Sequence, residues 1–401
     1  MELTRKQAEI RATILDQLYA KRPISRIDIS KETHITPATT GSFINEFIRL
    51  NFVKELGEVS NDRAGRKKLL LDIVPGQYYY LGLELSEKYL ALVIADNVGE
   101  IQASRQIELS LEKEKPTDKF IIKLMKSFLD QYPDYPITGI GIGLPGYAKV
   151  QESPTIISKS SYWTDVNLHH IIQSFSVPVY LDNKSHCLTL AERLFSYHSD
   201  DSNFIVYHVA RGIHYSYMYN GEIYSHKNFL IGEIGHTVIN PQGERCSCGK
   251  HGCLQVYASE ADLIHKATIL YHSPLSLLKT LVKDESQITI NTLLTAYQLG
   301  DLGAIQLIDT ACHYLAISIS NLCQLIDTER IYLDGELFSS SIITDNILNH
   351  LQEEIQLFPE QKQTEICIIP FSPINVARAA VSLCIYHDFL DKNNTNPITV
   401  V

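Results

Sequence analysis

Residues 232–253 read GEIGHTVINPQGERCSCGKHGC. His236 is followed after nine residues by Cys246, then by Cys248 and Cys253, and Gly243, Gly249 and Gly252 let the backbone fold each sulfur back toward one point. Three thiolates and one imidazole complete a tetrahedral Zn2+ shell and leave no position for water, so the pattern predicts a structural metal and not a catalytic one. The bland alternative is four unrelated side chains in a turn-rich loop. Against it stands the crowding of three of the chain's eight cysteines into eight residues. The other five (Cys187, Cys312, Cys323, Cys367, Cys384) are scattered among apolar neighbours, as buried thiols of a reducing compartment would be.

Outward from this knot, the 401-residue chain is too long for one compact core and suits two or three domains. No apolar run is expected to reach the roughly 20 residues that span a bilayer, and the charged start MELTRKQAEI lacks the apolar core of a signal peptide, which predicts a cytoplasmic protein with no membrane partner. The net charge of −11 argues against nucleic acid, but it is unevenly spread. Residues 1–75 hold 13 Lys and Arg against 10 Asp and Glu, so a slightly basic end sits on an acidic body. That is the balance of a separate DNA-binding module.

The first 74 residues support that division. Ile10, Ile14, Leu15 and Leu18 make one apolar face of a helix over 5–21. Ser25 with Asp28 reads as a capping box opening a second helix to about Thr33. Thr36-Pro37 reads as a cap and first turn of a third helix to about Leu50. Thr40, Phe43, Ile44, Phe47 and Ile48 form its inner face, and Ala38, Ser42, Asn45 and Arg49 its outer face, with Thr39 and Glu46 at the margins. Two strands over Val53–Ile73, joined by SNDRAGRK, add a wing. The third helix would enter the major groove and the wing would reach phosphates or the minor groove. A three-helix protein-interaction domain is the alternative.

From Tyr78 the pattern changes to YYYLGLEL, YLALVIAD and IQASRQIEL, a helix at about 118–131 and the strand ITGIGIGLPG. This is the β-β-β-α-β opening of an actin-like or ribonuclease-H-like lobe, and NFIVYHVARG with IHYSYMYNG begins a second copy. Residues 254–360 read mostly helical, with Ala311–Ile326 the longest apolar stripe. It leads into the strand RIYLDGEL, and NVARAAVSLCIYHDFL reads as a last helix.

GEIGH followed by CxCGxxGC resembles the signature of the ROK family, which groups repressors, open reading frames and sugar kinases. ISRIDISKETHITPATTGSFINEFIRLNFVKELG resembles the N-terminal domain of its repressors, with Ser25-Arg26 and Gly65-Arg66 as the shared pairs. The resemblance implies an α/β protein: a winged helix-turn-helix over 1–74, a first actin-like lobe over 75–195 with a return helix at about 374–390, and a second lobe over 196–373 holding the zinc knot. It implies effector contacts at Gly146, Asn183, Glu233, His236 and Gln255, although the family usually has Glu where Gln255 stands. It implies DNA contacts at Arg26, Thr36, Pro37, Ala38, Thr39, Ser42, Asn45, Arg66 and Lys67. Few long donors face the bases, so Asn45, threonine methyls and the wing's Arg66 and Lys67 would do most of the reading, of an A·T-rich site.

The resemblance breaks where a kinase would need it. In place of the phosphate hairpin DxGGT stand Glu84, Leu85, Ser86, Glu87 and Lys88; in place of GTG stands Ala210-Arg211-Gly212; the late glycine pair reads Asp334-Gly335-Glu336. The carboxylate that orients a sugar hydroxyl and takes its proton is replaced by Lys184 after Asn183, and a cation cannot be that base. A one-residue slip would make Asp182 the base. Lys159 and Lys184 either suit an anionic sugar or point to solvent or to Asp165 and Asp182, and a pocket that no longer binds any sugar is a third alternative. The expectation is a non-enzymatic repressor of carbohydrate genes that binds a double-stranded operator as a dimer or dimer of dimers, needs no ATP, and answers to a sugar or sugar phosphate. The alternatives are a sugar kinase with a DNA-binding extension and a regulator controlled by a protein partner.

Overall fold

A computed structural model describes residues 3–59, 68–109, 115–148, 154–158, 161–196, 202–224, 230–355 and 364–395. The chain divides into two compact units, Met1–Asp201 with Pro373–Val401, and Ser202–Ser372. The first unit opens with α1 (Arg5–Lys21), started by a reciprocal Thr4–Gln7 capping box. Next come β1 (Ile24–Ser25), α2 (Arg26–Thr33) and α3 (Pro37–Arg49). Ser25 Oγ accepts the Asp28 amide at 3.2 Å, but the Asp28 carboxylate does not complete the predicted box. It takes the Ser25 hydroxyl at 2.6 Å and Lys68 Nζ at 2.7 Å instead, because an ammonium is the stronger donor. His34, in the left-handed region with φ 55°, ends α2, and Thr36 caps α3 with Pro37 in its first turn. Thr40, Ile44 and Phe47 are buried and Ala38, Ser42, Asn45 and Arg49 exposed, as the spacing predicts. β2 (Val53–Val59) and β3 (Lys68–Ile73) pair antiparallel and β1 joins β3, the element order of a winged helix. The turn between β2 and β3, with Arg66 and Lys67, lies outside the described residues.

The lobe that follows contains β4 (Tyr79–Leu85), β5 (Tyr89–Asp96), β6 (Ile101–Glu108), α4 (Asp118–Leu129), β7 (Ile137–Leu144), the small hairpin β8 (Tyr147–Ala148) and β9 (Ile156–Ile157), α5 (Leu168–Gln173), β10 (Val179–Asn183) and α6 (Lys184–Phe195). The sheet order is β10-β7-β4-β5-β6, with β4, β7 and β10 parallel, so Glu84, Gly143-Leu144 and Asn183 gather at one end of the sheet. In open α/β sheets that carboxyl end is where ligands sit. Ile121, Met125 and Phe128 of α4 cover one face of the sheet against Leu81, Leu83, Leu92 and Ile142.

The second unit repeats the plan with β11 (Phe204–Val209), β12 (Ile213–Tyr219), β13 (Glu222–Ile223), the helices α7 (Gln255–Ala258), α8 (Glu260–Tyr271), α9 (Leu278–Leu281), α10 (Ile290–Gln298) and α11 (Leu302–Leu325), then β14 (Arg330–Asp334), α12 (Ser341–Ile355) and β15 (Glu365–Ile368). Its sheet order is β13-β12-β11-β14-β15. Helix α11 starts nine residues before the apolar stripe read from sequence. Its 24 residues are long and apolar enough to cross a membrane, contrary to the expectation that no run comes close. Ala304, Ile308, Ala311, Cys312, Leu315, Ala316, Ile319 and Leu322 instead face a protein core shared with Leu263, Leu293, Ile343 and Ile347. Its apolar character is that of a helix buried between neighbours.

After Pro373 the chain returns to the first unit as α13 (Asn375–Ile385) and a π-turn, Tyr386–Leu390. The helix lies directly on the sheet. A Cβ added at Gly82 or Gly141 would come within 1.9 Å of the Ala377 or Ala380 carbonyl oxygen. The π-turn then brings Phe389 and Leu390 into one core with Ile14, Leu15 and Leu18 of α1 and Ile44 and Phe47 of α3. In the same turn Asp388 accepts from Tyr80 Oη at 3.0 Å and Tyr180 Oη at 3.5 Å.

Burial raises the Asp388 carboxyl from its ordinary 3.8 to about 6, against the pull of the two tyrosine hydroxyls. The folded chain therefore keeps a proton that the unfolded chain has lost, and stability falls as pH rises between about 4 and 6, by roughly 3 kcal/mol over the whole interval. Denaturant midpoints measured across that range should decline in the wild type and stay flatter in Asp388→Asn. Parallel profiles would refute the assignment.

Candidate functional site

The loop from Gly232 to Cys253 folds on itself through backbone bonds. Cys246 N donates to Lys250 O at 2.8 Å, Gly252 N to Glu244 O at 2.8 Å, and Ile239 N to Gly252 O at 2.9 Å. The folding brings one donor atom each of His236, Cys246, Cys248 and Cys253 within 4.8 Å of one another. His236 Nδ1 stands 3.5 Å from Cys246 Sγ, and Cys248 Sγ 3.5 Å from Cys253 Sγ. An ion bound at about 2.3 Å from each sulfur separates its tetrahedral donors by about 3.8 Å, so the four atoms fit one closed shell. Burial and then the adjoining thiols push the Cys253 thiol up to about 12, while the Lys250 amide draws Cys248 below its usual range. The neighbouring sulfurs thus help Cys248 to ionise and oppose ionisation of Cys253.

The knot is tied to the rest of its unit through Tyr257 of α7. Tyr257 Oη accepts from Glu244 N at 3.2 Å and from Asn240 Nδ2 at 3.3 Å, and its ring packs on Tyr314 of α11 with centroids 4.6 Å apart. Lys266 lies over the same ring and pairs with Glu244 at 2.7 Å.

The other nitrogen of His236, Nε2, faces Glu233 Oε2 at 3.9 Å, and Glu233 Oε1 lies 3.3 Å from His214 Nδ1. Gln255 opens α7 with its Oε1 beside Gly212 and Gly235. The second unit thus brings Glu233, His236 and Gln255 together, with His214 added. Nothing in the alternating run IHYSYMYNG marked that histidine.

In the first unit Asn183 ends β10 and caps α6, its Oδ1 accepting His186 N at 2.9 Å. Lys184 turns neither to Asp182 nor to Asp165. Its Nζ pairs with Glu84 Oε1 at 2.5 Å, with the Glu84 side chain only 3% exposed. Asp182, the slipped candidate for a base, is held by His186 Nδ1 at 2.9 Å. The sequence marked Glu84 as a hairpin-spoiling anion without marking it as the partner of Lys184, since a hundred residues separate them. Gly146 follows β7, and its tight approach is to the Ile157 carbonyl of β9. Lys159 lies outside the described residues. In the second unit, across β11 and β14, Asp334 is paired with His208 Nδ1 at 2.5 Å.

On the winged domain Thr36, Pro37, Ala38, Ser42 and Asn45 are exposed and Thr39 half-buried. Thr36 Oγ1 accepts the Thr39 amide at 3.3 Å. Arg26 is engaged internally, Nη1 with Asn45 Oδ1 and Nη2 with Glu55 Oε1, each at 2.8 Å. Two of the expected base or phosphate contacts therefore hold each other, beside a wing carboxylate.

Gly252 has φ 69°, and a Cβ there would stand 1.5 Å from the Asn240 carbonyl oxygen. Gly252→Ala should cost at least about 2 kcal/mol through left-handed strain and displacement of that backbone. A drop in melting temperature, with loss of any bound metal, would register it; an unchanged melting temperature would contradict the close approach.

The ROK family profile matches residues 80–378. A Bacillus spizizenii protein named xylose repressor is 24% identical over 383 residues, which cover 94% of this chain and 95% of that one. Among solved structures, a ROK family transcriptional regulator described as a homologue of Escherichia coli MLC superposes with a TM-score of 0.74 at 24% identity, covering 96% and 98% of the two chains. A Streptomyces griseus ROK family glucokinase in complex with glucose and AMPPNP superposes with a TM-score of 0.64 at 17% identity, covering 98% of its own length but 76% of this chain.

Proposed function

The chain belongs to the ROK family, and we propose that within it this protein is a sequence-specific, DNA-binding repressor of carbohydrate-metabolism genes, working in the cytoplasm as a homodimer and without kinase activity. The observation that carries the reading is Lys184 pinned at 2.5 Å to Glu84, where phosphoryl transfer needs a free carboxylate. The relative named xylose repressor aligns with nearly the whole chain, whereas the glucokinase leaves about a quarter of it uncovered. With the phosphate hairpins replaced, no ATP is needed.

In this reading three domains divide the work: 1–74 reads DNA, 75–195 with the return helix forms the first lobe, and 196–373 the second. Thr36, Pro37, Ala38, Thr39, Ser42 and Asn45 meet the major groove, with Arg26 and the wing's Arg66 and Lys67 on phosphates or the minor groove. Release of Arg26 from Glu55 accompanies docking. Effector contacts are Gly146 and Asn183 on the first unit and Glu233, His236 and Gln255 on the second. Since Glu84 already neutralises Lys184, the site favours an uncharged sugar over its phosphate. The sugar must bind one arrangement of the protein better than the other, or it shifts nothing.

Selection of bound sequences from randomised DNA with the full chain, repeated with D-xylose and a panel of sugars and sugar phosphates, tests the reading. A palindromic site whose recovery falls with one uncharged sugar is the expected result. Failure to enrich any sequence would sink it.

The Cys3His set holds structural zinc in the same reading, with His236 bound through Nδ1 and oriented by Glu233 at Nε2. Its four donors are all protein atoms, so the ion organises the loop and supplies no reactive water. Metal analysis of protein purified without chelator should give about one zinc per chain, and Cys246→Ala should lose both metal and solubility. A stable metal-free preparation would refute the zinc.

A further inference from the structure

Helix α6 begins at a candidate effector residue and ends at the winged domain. At its start Asn183 caps it and Lys184 is fixed to Glu84. A lysine in the first turn opposes the helix dipole, so the ion pair and not helix preference holds it there. At its end Arg193, only 4% exposed, reaches Asp16 of α1 at 2.7 Å, and the Leu194 carbonyl accepts Arg22 Nη2 at 3.5 Å. Twelve residues of α-helix place those ends about 18 Å apart.

The surroundings favour movement of α6 as a rod. It packs along α13, with Ser382 Oγ donating to the Cys187 carbonyl at 3.3 Å, and α13 cannot sink further because its carbonyls already touch Gly82 and Gly141. A buried guanidinium is strongly penalised when it loses its carboxylate, so a shift of α6 takes Asp16 with it. Asp16 lies on the helix whose Ile14, Leu15 and Leu18 share a core with Ile44 and Phe47 of α3. Displacement of α1 therefore reaches the reading helix through packed side chains. Tyr19 Oη on the Asn97 carbonyl at 2.8 Å ties α1 to the lobe at a second point, about which such a shift would turn it.

We infer that Asp16 and Arg193 are positioning residues that carry the state of the effector site along α6 to the DNA-reading face. The inference rests on the sugar-responsive repressor reading above.

The test compares wild type, Asp16→Asn and Asp16→Glu as full-length protein, using a duplex recovered by selection with the wild type and D-xylose as the probe, or the panel sugar that alters recovery. DNA affinity is measured with and without sugar, and sugar affinity separately. Asp16→Asn should bind the sugar within about twofold of wild type while the sugar-induced change in DNA affinity shrinks at least about fivefold; Asp16→Glu should keep that change. A responsive wild type with an equally responsive Asp16→Asn overturns the inference and leaves the repressor reading intact. Loss of response in both variants together with loss of sugar binding also overturns it, as damage and not coupling. A wild type that binds DNA but answers to no sugar removes the effector reading, and the inference falls with it.

Discussion

The contact on which the first unit depends is the one between α13 and the sheet, backbone against backbone at Gly82 and Gly141. With no Cβ in the way, the helix sits at a depth no larger residue would allow. That depth sets the place of everything packed on its outer side: α6 along its flank, and the π-turn that delivers Phe389 and Leu390 to the core beneath α1. π-turns are uncommon, appearing mostly as single turns within or at the end of α-helices. Here the turn lets a lobe and a winged domain share one apolar core, so the winged domain is not a bead on a flexible tether.

The carboxyl ends of β4, β7 and β10 bring side chains from distant parts of the chain to one place. There Glu84 Oε1 pairs with Lys184 Nζ at 2.5 Å, while Glu84 Oε2 is buried with no hydrogen-bond partner among the described residues. A buried ion pair of this kind contributes little net stability, because desolvation offsets most of the attraction. Its consequence is geometric. It fixes the start of α6 against β4. Function follows the site and not the scaffold.

Much of this was legible in the sequence because local physics fixes it. The outer face of α3 follows from helical spacing, the break at His34 and the cap at Thr36 from turn chemistry, and the clustering of His236, Cys246, Cys248 and Cys253 from their spacing. What was hidden depends on contacts between distant residues. The partner of Lys184 could not be read because Glu84 is brought to it only by the parallel pairing of β4, β7 and β10. His214 joins Glu233 only through the fold of the loop. The apolar stripe of α11 was read too short because Asp309, which interrupts it, is answered by Tyr297 and Asn346 from neighbouring helices. Nothing local to Arg26 or Asn45, nineteen residues apart, signals that they bond to each other.

The order in which the chain is made has its own consequence for the shared core. The winged domain precedes the whole second unit in the chain, whereas Ala377, Val381, Phe389 and Leu390, which complete the apolar seat of α1, follow it. A nascent chain can build the helices of the winged domain long before it can hold them in their final setting. The packing around α1 is therefore completed only once the residues after Pro373 have been made.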